Sequence, residues 1–459
     1  MKQNPQPSVA PAPGRATSAG EAFLYTFRTP QLWLLVALIV VIAGLAQAIG
    51  PAEISLGPAS ITMLPMIWGL ILAAVLSAQK LKPMPAGLQH AAGLIMGVAV
   101  LLLCARLSLT MGPNIPLILE AGPALLLQEF GNVFGTILLA LPLAVLLRMG
   151  PATVGATFSV DREAAFAMVT NRFGSDSPQY RGVLSMYVFG SVFGAVIATL
   201  IASLATSLGI FDPLALAMGS GIGSGSMMAA GASAVAAAHP EMQDQILALA
   251  TTANLIASLA GIYLGVWVSL PVADRFYRLL TRNRDAEATG RKSIGTMATE
   301  QLHAVKDAMT QGPEVRVPLW NILAILCGAG LVVAVIAERS FTWDMVWTYL
   351  LLAALVAVSM GVTRISRGKV PALIVLVTLG MLVSSPISPV AGWVAEASES
   401  VDFLSVITMM LTVAGLSLGK DMPMLRSIGW KIVPVGVVGI AATFVCSTII
   451  AEFVLGLVG

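Results

Sequence analysis

Residues 218–235 read MGSGIGSGSMMAAGASAV, and the reading of this stretch decides the fold. Gly219, Gly221, Gly223, Gly225 and Gly231 are interleaved with Ser220, Ser224, Ser226 and Ser233, with no charge among them. Glycine costs about 1 kcal/mol per helical position relative to alanine, so the run makes a poor continuous helix. Long apolar segments flank it on both sides. In hydrocarbon an unwound backbone persists only where protein buries it or where it lines a watery cavity. The stretch is therefore expected to be a broken or re-entrant segment that offers backbone groups and hydroxyls to a solute or an ion. The rival reading makes the same glycines a small-residue face for close helix packing.

Composition sets the class. The chain has 459 residues, 57% hydrophobic and 10% charged, against roughly 25% charged in ordinary soluble domains. An all-α polytopic membrane protein is expected. Cys104, Cys327 and Cys446 sit far apart inside apolar runs, and His90, His239 and His303 are isolated, so neither a disulfide framework nor a metal centre is expected. The net charge of +2 gives no reason to expect nucleic acid.

Apolar spans of the length needed to cross hydrocarbon recur near 31–50, 58–79, 87–107, 133–148, 183–211, 244–271, 318–337, 343–361, 370–386, 403–418 and 428–457. That predicts about eleven transmembrane helices. Two apolar but glycine-interrupted stretches, 150–173 and 214–240, remain as broken or re-entrant segments. Residues 1–30 read as a disordered cytoplasmic tail, 31–273 as a first membrane half, 274–317 as a cytoplasmic linker and 318–459 as a second membrane half. The spacing of the first four spans is echoed by 318–337, 343–361, 370–386 and 403–418, as in carriers that arose by duplication. Alternating the spans from an inner N-terminus puts 23 of the 25 Lys and Arg residues on the inner side, leaving Arg106 and Arg339 outside. The positive-inside rule then favours a cytoplasmic N-terminus, a periplasmic C-terminus and a bacterial inner membrane.

Three stretches could carry chemistry. Residues 155–168, GATFSVDREAAFAM, place Thr157, Ser159, Asp161, Arg162 and Glu163 between apolar runs. Ionisable groups at membrane depth are costly and usually functional. Asp161 and Glu163 are candidates to bind a coupling cation or proton, and Arg162 to hold an anionic solute through its planar fork. In EAGPALLLQEFGN, residues 120–132, Glu120 and Glu129 pose the same question, but Pro116, Gly122, Pro123 and Gly131 are expected to break any helix, leaving an outer surface loop. Thr251, Thr252 and Asn254 lie within a span just beyond the glycine stretch, and Asn254 is a further candidate for the coupling ion. The run GSGIGSG is not the dinucleotide pattern, no strand precedes it and no phosphate-loop lysine follows. His239 is the sole histidine within reach of its serines, without the spacing of a nucleophile elbow. No enzyme activity and no cofactor are expected.

The runs EAGPALLLQEFGN, GTILLALPLAVLLRMG, GATFSVDRE, SDSPQYRGVLSMYVFG and GSGIGSGSMMAAGASAV resemble a bacterial family of multi-pass membrane proteins known as domain of unknown function 3100. That resemblance implies a membrane fold and no activity. More distantly, a glycine- and serine-rich hairpin beside a second broken stretch is similar to carriers of citrate, glutamate and related anions, in which two hairpin tips from opposite leaflets meet at the substrate. The fuller Gly-Gly signature of those carriers is missing here.

A secondary transporter is therefore expected, moving a small polar or anionic solute and coupled to Na+ or protons. Gly219, Ser220, Gly221, Gly223, Ser224, Gly225 and Ser226, with Thr157, Ser159 and Arg162, are its expected solute contacts. Its partners are the lipid bilayer, the solute, Na+ or H+, and further copies of the chain in a homo-oligomer. The alternative is a channel or holin-like membrane component without coupled transport. Because basic inner loops set orientation, a cysteine placed at Ser293 in a background without Cys104, Cys327 and Cys446 is expected to resist an impermeant thiol reagent in intact cells. It should react once the membrane is permeabilised; reaction in intact cells would reverse the orientation.

Overall fold

The computed structural model describes residues 23–56, 59–79, 83–159, 164–174, 177–281, 315–367, 370–421 and 429–458. In chain order its helices are α1 (Pro30–Ile49), α2 (Pro65–Ala78), α3 (Ala86–Met111), α4 (Ile115–Glu120) and α5 (Gly122–Leu146, with a π-helical turn at Thr136–Ala140). There follow α6 (Ala152–Thr157), α7 (Ala164–Phe173), α8 (Pro178–Ser207), α9 (Pro213–Gly219), α10 (Gly225–Ala238), α11 (Gln243–Leu264) and α12 (Leu270–Thr281). The last six are α13 (Leu319–Glu338), α14 (Trp343–Ile365), α15 (Ala372–Ser384), α16 (Ala391–Glu399), α17 (Phe403–Ser417) and α18 (Ile432–Val458). Pro30, Pro65, Pro178 and Pro213 each open a helix, where a missing N–H costs nothing because first-turn N–H groups have no intrahelical partner.

This is an all-α membrane protein. Among the described residues eight helices are long and apolar enough to cross a bilayer, and α11 with α12, bent by 56° at their junction, makes a ninth. Every one of the eleven apolar spans contains a helix, but α2 and α15 have only 14 and 13 residues. The reason for the first is local: Ala52–Leu56 pairs antiparallel with Ala59–Met63, so a hairpin takes the opening residues of the expected span 58–79. The span expected at 133–148 begins earlier, at Gly122. The surface loop expected around Glu129 is thus corrected to membrane helix. Pro123 sits in the first turn of α5, where proline is tolerated, and Gly131 and Gly135 lie against the backbone of α18. At the N-terminus, Phe23–Leu24, within the expected tail, pairs in parallel with Val315–Arg316 of the expected linker. Residues 1–22 and 282–314, the rest of those two segments, lie outside the described residues.

Contacts fix the direction of each helix. Gly44 of α1 meets Ile336 of α13, so the two run in the same sense, and Gly330 meets Tyr349 of the returning α14. Gly93 of α3 meets Lys420 just beyond α17, while Arg106, at the other end of α3, donates to the Val401 carbonyl ahead of α17. The two are antiparallel. One face of the molecule, where α1, α3, α8, α13 and α18 begin, therefore carries Arg28, Arg148, Arg181, Arg316 and Lys431; the other carries Glu53, Asp212, Asp244, Glu338 and Asp402. These are called below the basic and the acidic face.

A methyl group on Gly131 would lie 2.5 Å from the Ser447 nitrogen and 2.6 Å from the Cys446 carbonyl, backbone atoms that cannot swing aside. Gly131→Val is expected to lower stability by about 1–3 kcal/mol, the usual cost of overpacking. Gly328→Val, with nothing within 4 Å of the new carbon, should be nearly silent. Melting curves of both variants in detergent check the pair.

Candidate functional site

The glycine stretch forms a re-entrant hairpin. At its start the Asp212 N–H donates to Glu452 Oε2 at 2.8 Å, on the acidic face, and α9 runs inward until Gly219 lies against Phe444 and Thr448 of α18. The chain then unwinds over Ser220–Ser224. α10 returns toward the acidic face alongside α8: Met227 meets Gly194, and Thr199 Oγ1 donates to the Ala230 carbonyl at 3.3 Å. Gly194 is near the middle of α8, so the tip lies near mid-membrane. Gly223 takes φ +61°, a left-handed conformation that glycine accepts without strain. The carbonyls exposed by unwinding are satisfied from α11, where Asn254 Nδ2 donates to Gly221 at 3.0 Å and to Gly223 at 3.2 Å.

The tip opens into a cavity of about 720 Å3. Gly223, Ser224, Gly225 and Ser226 line it, the two hydroxyls 3.0 Å apart. From the tip it runs toward the basic face between Gly93–Cys104 of α3, Tyr187 and Ser191 of α8, and Asn254, Ser258 and Gly261 of α11. Ala414, Ser417, Leu418 and Lys420 close the far wall, and Met168 of α7 enters from the basic face. Toward the acidic face the cavity ends: Ala105–Met111 of α3 are all buried, and the hairpin fills the space beside them. Among the described residues Lys420 is the one charged side chain on the wall. Among the described residues the ion pairs are Arg172–Asp274, Arg278–Asp274 and His239–Glu241, so no carboxylate neutralises it there. Just beyond the closed end, burial raises the Asp402 carboxyl above its ordinary value.

The glycines divide between the two readings. Gly223 and Gly225, with Ser224 and Ser226, face the cavity. Gly219, Gly221 and Ser220 do not line it; Gly219 and Gly221 are packed against α18 and α11, and Ser220 Oγ donates to the Leu216 carbonyl at 2.9 Å. Asn254 reaches the site as the group that holds the tip. Thr157 is fully buried and donates to the Thr153 carbonyl, and Ser159 follows it at the end of α6, both away from the cavity. Asp161, Arg162 and Glu163 lie outside the described residues. Lys420, Ser417, Ser191 and Ser258 were not singled out by the sequence reading. The available signal for the first two was AGLSLGKD at 414–421, small residues and a lysine where an apolar span ends.

The model of a family described as protein of unknown function (DUF3100) matches residues 44–279, just over half of the chain. The chain belongs to the DUF3100 family. Comparison with curated proteins and with solved structures gave no match. The DUF3100 segment carries the hairpin and the α3, α8 and α11 walls in one piece, whereas Leu373 and Ala414–Lys420 come from beyond it. Both membrane halves thus meet at the cavity.

Removing the Asn254 amide leaves two buried carbonyls without their donor, and an unsatisfied buried polar group costs about 1–3 kcal/mol. Asn254→Ala is expected to lower the melting temperature more than Ser258→Ala, which loses only a half-buried hydroxyl on the same helix. Equal melting temperatures would show that the amide does not hold the tip.

Proposed function

We propose that the protein is a secondary transporter whose cavity binds a small anionic solute between the hairpin tip and Lys420. One observation carries the reading: a re-entrant tip of small polar residues and a lysine without an ion pair among the described residues line one half-membrane cavity of about 720 Å3. Its volume falls within the roughly 300–1,000 Å3 of small-molecule sites. The lysine ammonium would supply charge and the Ser224, Ser226 and Ser191 hydroxyls would orient the solute, as convergent polar groups do in otherwise apolar pockets. The cavity reaches toward the basic face and is closed toward the acidic face, as expected of one state of an alternating-access cycle. A channel needs a water path through both halves, and the buried end of α3 argues against one. Coupling to Na+ or protons belongs to the same proposal.

A ligand that binds only the native state stabilises it, by about 2.7 kcal/mol at a hundred times its Kd. Purified protein screened by thermal shift against mono-, di- and tricarboxylates, with and without Na+, is expected to yield an anion that stabilises the wild type. Lys420→Ala should lose that shift, and Gly223→Ala, strained at φ +61°, should weaken it. Absence of any anion-dependent shift, or an equal shift in Lys420→Ala, would overturn the anion site. If Gly223→Ala and Ser224→Ala lose stability while their affinity stays unchanged, the tip serves packing alone.

A further inference from the structure

The cavity is longer than one small anion can fill. A methyl group on Gly93 would lie 2.6 Å from Lys420 Nζ, which puts the ammonium at the level of Gly93 on α3. At the tip, a methyl group on Gly225 would lie 3.3 Å from Val100 Cγ1 and 3.8 Å from Cys104 Sγ. The tip therefore meets α3 between two and three turns further on, about 10–16 Å along the helix axis at 1.5 Å per residue. Gly93, Val100 and Cys104 all line the cavity on one face of the helix, so the lysine and the tip stand at its two ends.

Between the ends the wall is chiefly carbon, with Met96 and Leu101 of α3, Val188 of α8 and Leu373 of α15 along it. Ser191 and Ser417 donate their hydroxyl hydrogens to the Tyr187 and Ala414 carbonyls of their own helices, each at 2.8 Å. The two ends differ in charge. Lys420 carries a full positive charge, whereas the Ser224 and Ser226 hydroxyls carry none. They share one hydrogen bond at 3.0 Å, which leaves one hydrogen and open lone pairs for a ligand. The first turn of α10 adds N–H groups, equivalent to about half a charge. A second carboxylate at the tip would exchange its water for partial charges alone, and burying an ion without a counter-charge is costly. A hydroxyl or amide gives up less, and it can both donate to the serine pair and accept from it.

We infer that the solute is an elongated monocarboxylate with an apolar body and a neutral hydrogen-bonding group at its far end. The inference rests on the transport reading above and names its substrate class. The carboxylate meets Lys420, the body lies along α3, and the far group reaches Ser224 and Ser226. A hydrogen bond of about 2.8 Å at each end leaves roughly 5–10 Å between the polar ends of the ligand. A chain of about six carbons, with bonds of about 1.5 Å, covers that length.

Three probes of one chain length separate the possibilities: hexanoate, 6-hydroxyhexanoate and adipate, titrated calorimetrically into the purified full chain at neutral pH. 6-Hydroxyhexanoate is expected to bind about 2–10-fold more tightly than hexanoate, the gain from one net hydrogen bond. Adipate, with a second charge at the tip, should bind at least about tenfold more weakly than 6-hydroxyhexanoate. In a protein carrying both Ser224→Ala and Ser226→Ala, hexanoate and 6-hydroxyhexanoate should bind alike. Adipate binding as tightly as 6-hydroxyhexanoate, no gain from the hydroxyl in the wild type, or the same gain in the double variant would each overturn the inference. Should the double variant not fold, the order of the three probes in the wild type decides. Succinate, citrate or adipate binding that disappears in Lys420→Ala, without the expected order, would sink the monocarboxylate assignment and leave the anion site standing. If no anion binds, both fall.

Discussion

Backbone amides in hydrocarbon have no water to turn to, and the arrangement of this molecule follows from how one stretch of chain meets that constraint. Gly221 and Gly223 lie in the unwound tip near mid-membrane, and their freed carbonyls cannot be left bare. Asn254 satisfies both from a neighbouring helix. One amide thereby fixes the position of the hairpin, the register of α11 against it and the end of the cavity. Thr199 does related work on the other side by donating to Ala230, which ties the returning arm to α8. The tip keeps hydrogen bonds of its own, such as Gly221 N–H to the Met218 carbonyl and Ser220 Oγ to the Leu216 carbonyl, but the Gly221 and Gly223 carbonyls are held by a side chain of a neighbouring helix, so its geometry depends on how that helix stands.

Much of the fold was legible because hydropathy over twenty residues reports burial in lipid directly. Each apolar span holds a helix, and the glycine-interrupted stretch 214–240 is broken at Ser220–Ser224; the turn within the other such stretch, 150–173, lies outside the described residues, though Met168 of α7 reaches the same cavity as Gly223. The error at Glu129 has a specific cause. Pro123, Gly122 and Gly131 were weighed as helix breakers, but a proline in the first turn breaks nothing, and a glycine under a crossing helix is favoured by the closeness it allows. Propensity describes a helix alone, and α5 is never alone; the α18 backbone covers it. Lys420 was missed for the opposite reason. Counted among the inner basic residues, it served to set topology, and nothing local in the sequence says that α17 ends short of the face and turns its last residues toward α3.

The glycine run also shows why two readings of one motif need not compete. Gly219 and Gly221 are pressed against neighbouring helices, where any larger side chain would collide with Thr448 or with the Asn254 backbone. Gly223 and Gly225 follow directly and open on the cavity. Close packing brings α9 near enough to α11 for Asn254 to reach the tip, so the packing glycines create the conditions under which the cavity glycines can be exposed. Thr157 and Ser159 had the right chemistry for a site, but α6 runs antiparallel to the first turns of α8, with Gly155 and Gly182 in contact with the partner backbone. That keeps these two hydroxyls near the basic face and away from the tip.

The placement of charge gives the last step. Among the described residues Lys420 is the charged side chain on the cavity wall, and none of their ion pairs includes it. A lysine already paired with a buried carboxylate would have to break that pair before meeting an anion, at about 3–5 kcal/mol. In the proposed transport cycle the anion would meet Lys420 without that cost, and the hydroxyls of the tip would orient it against the lysine rather than compete with a second charge.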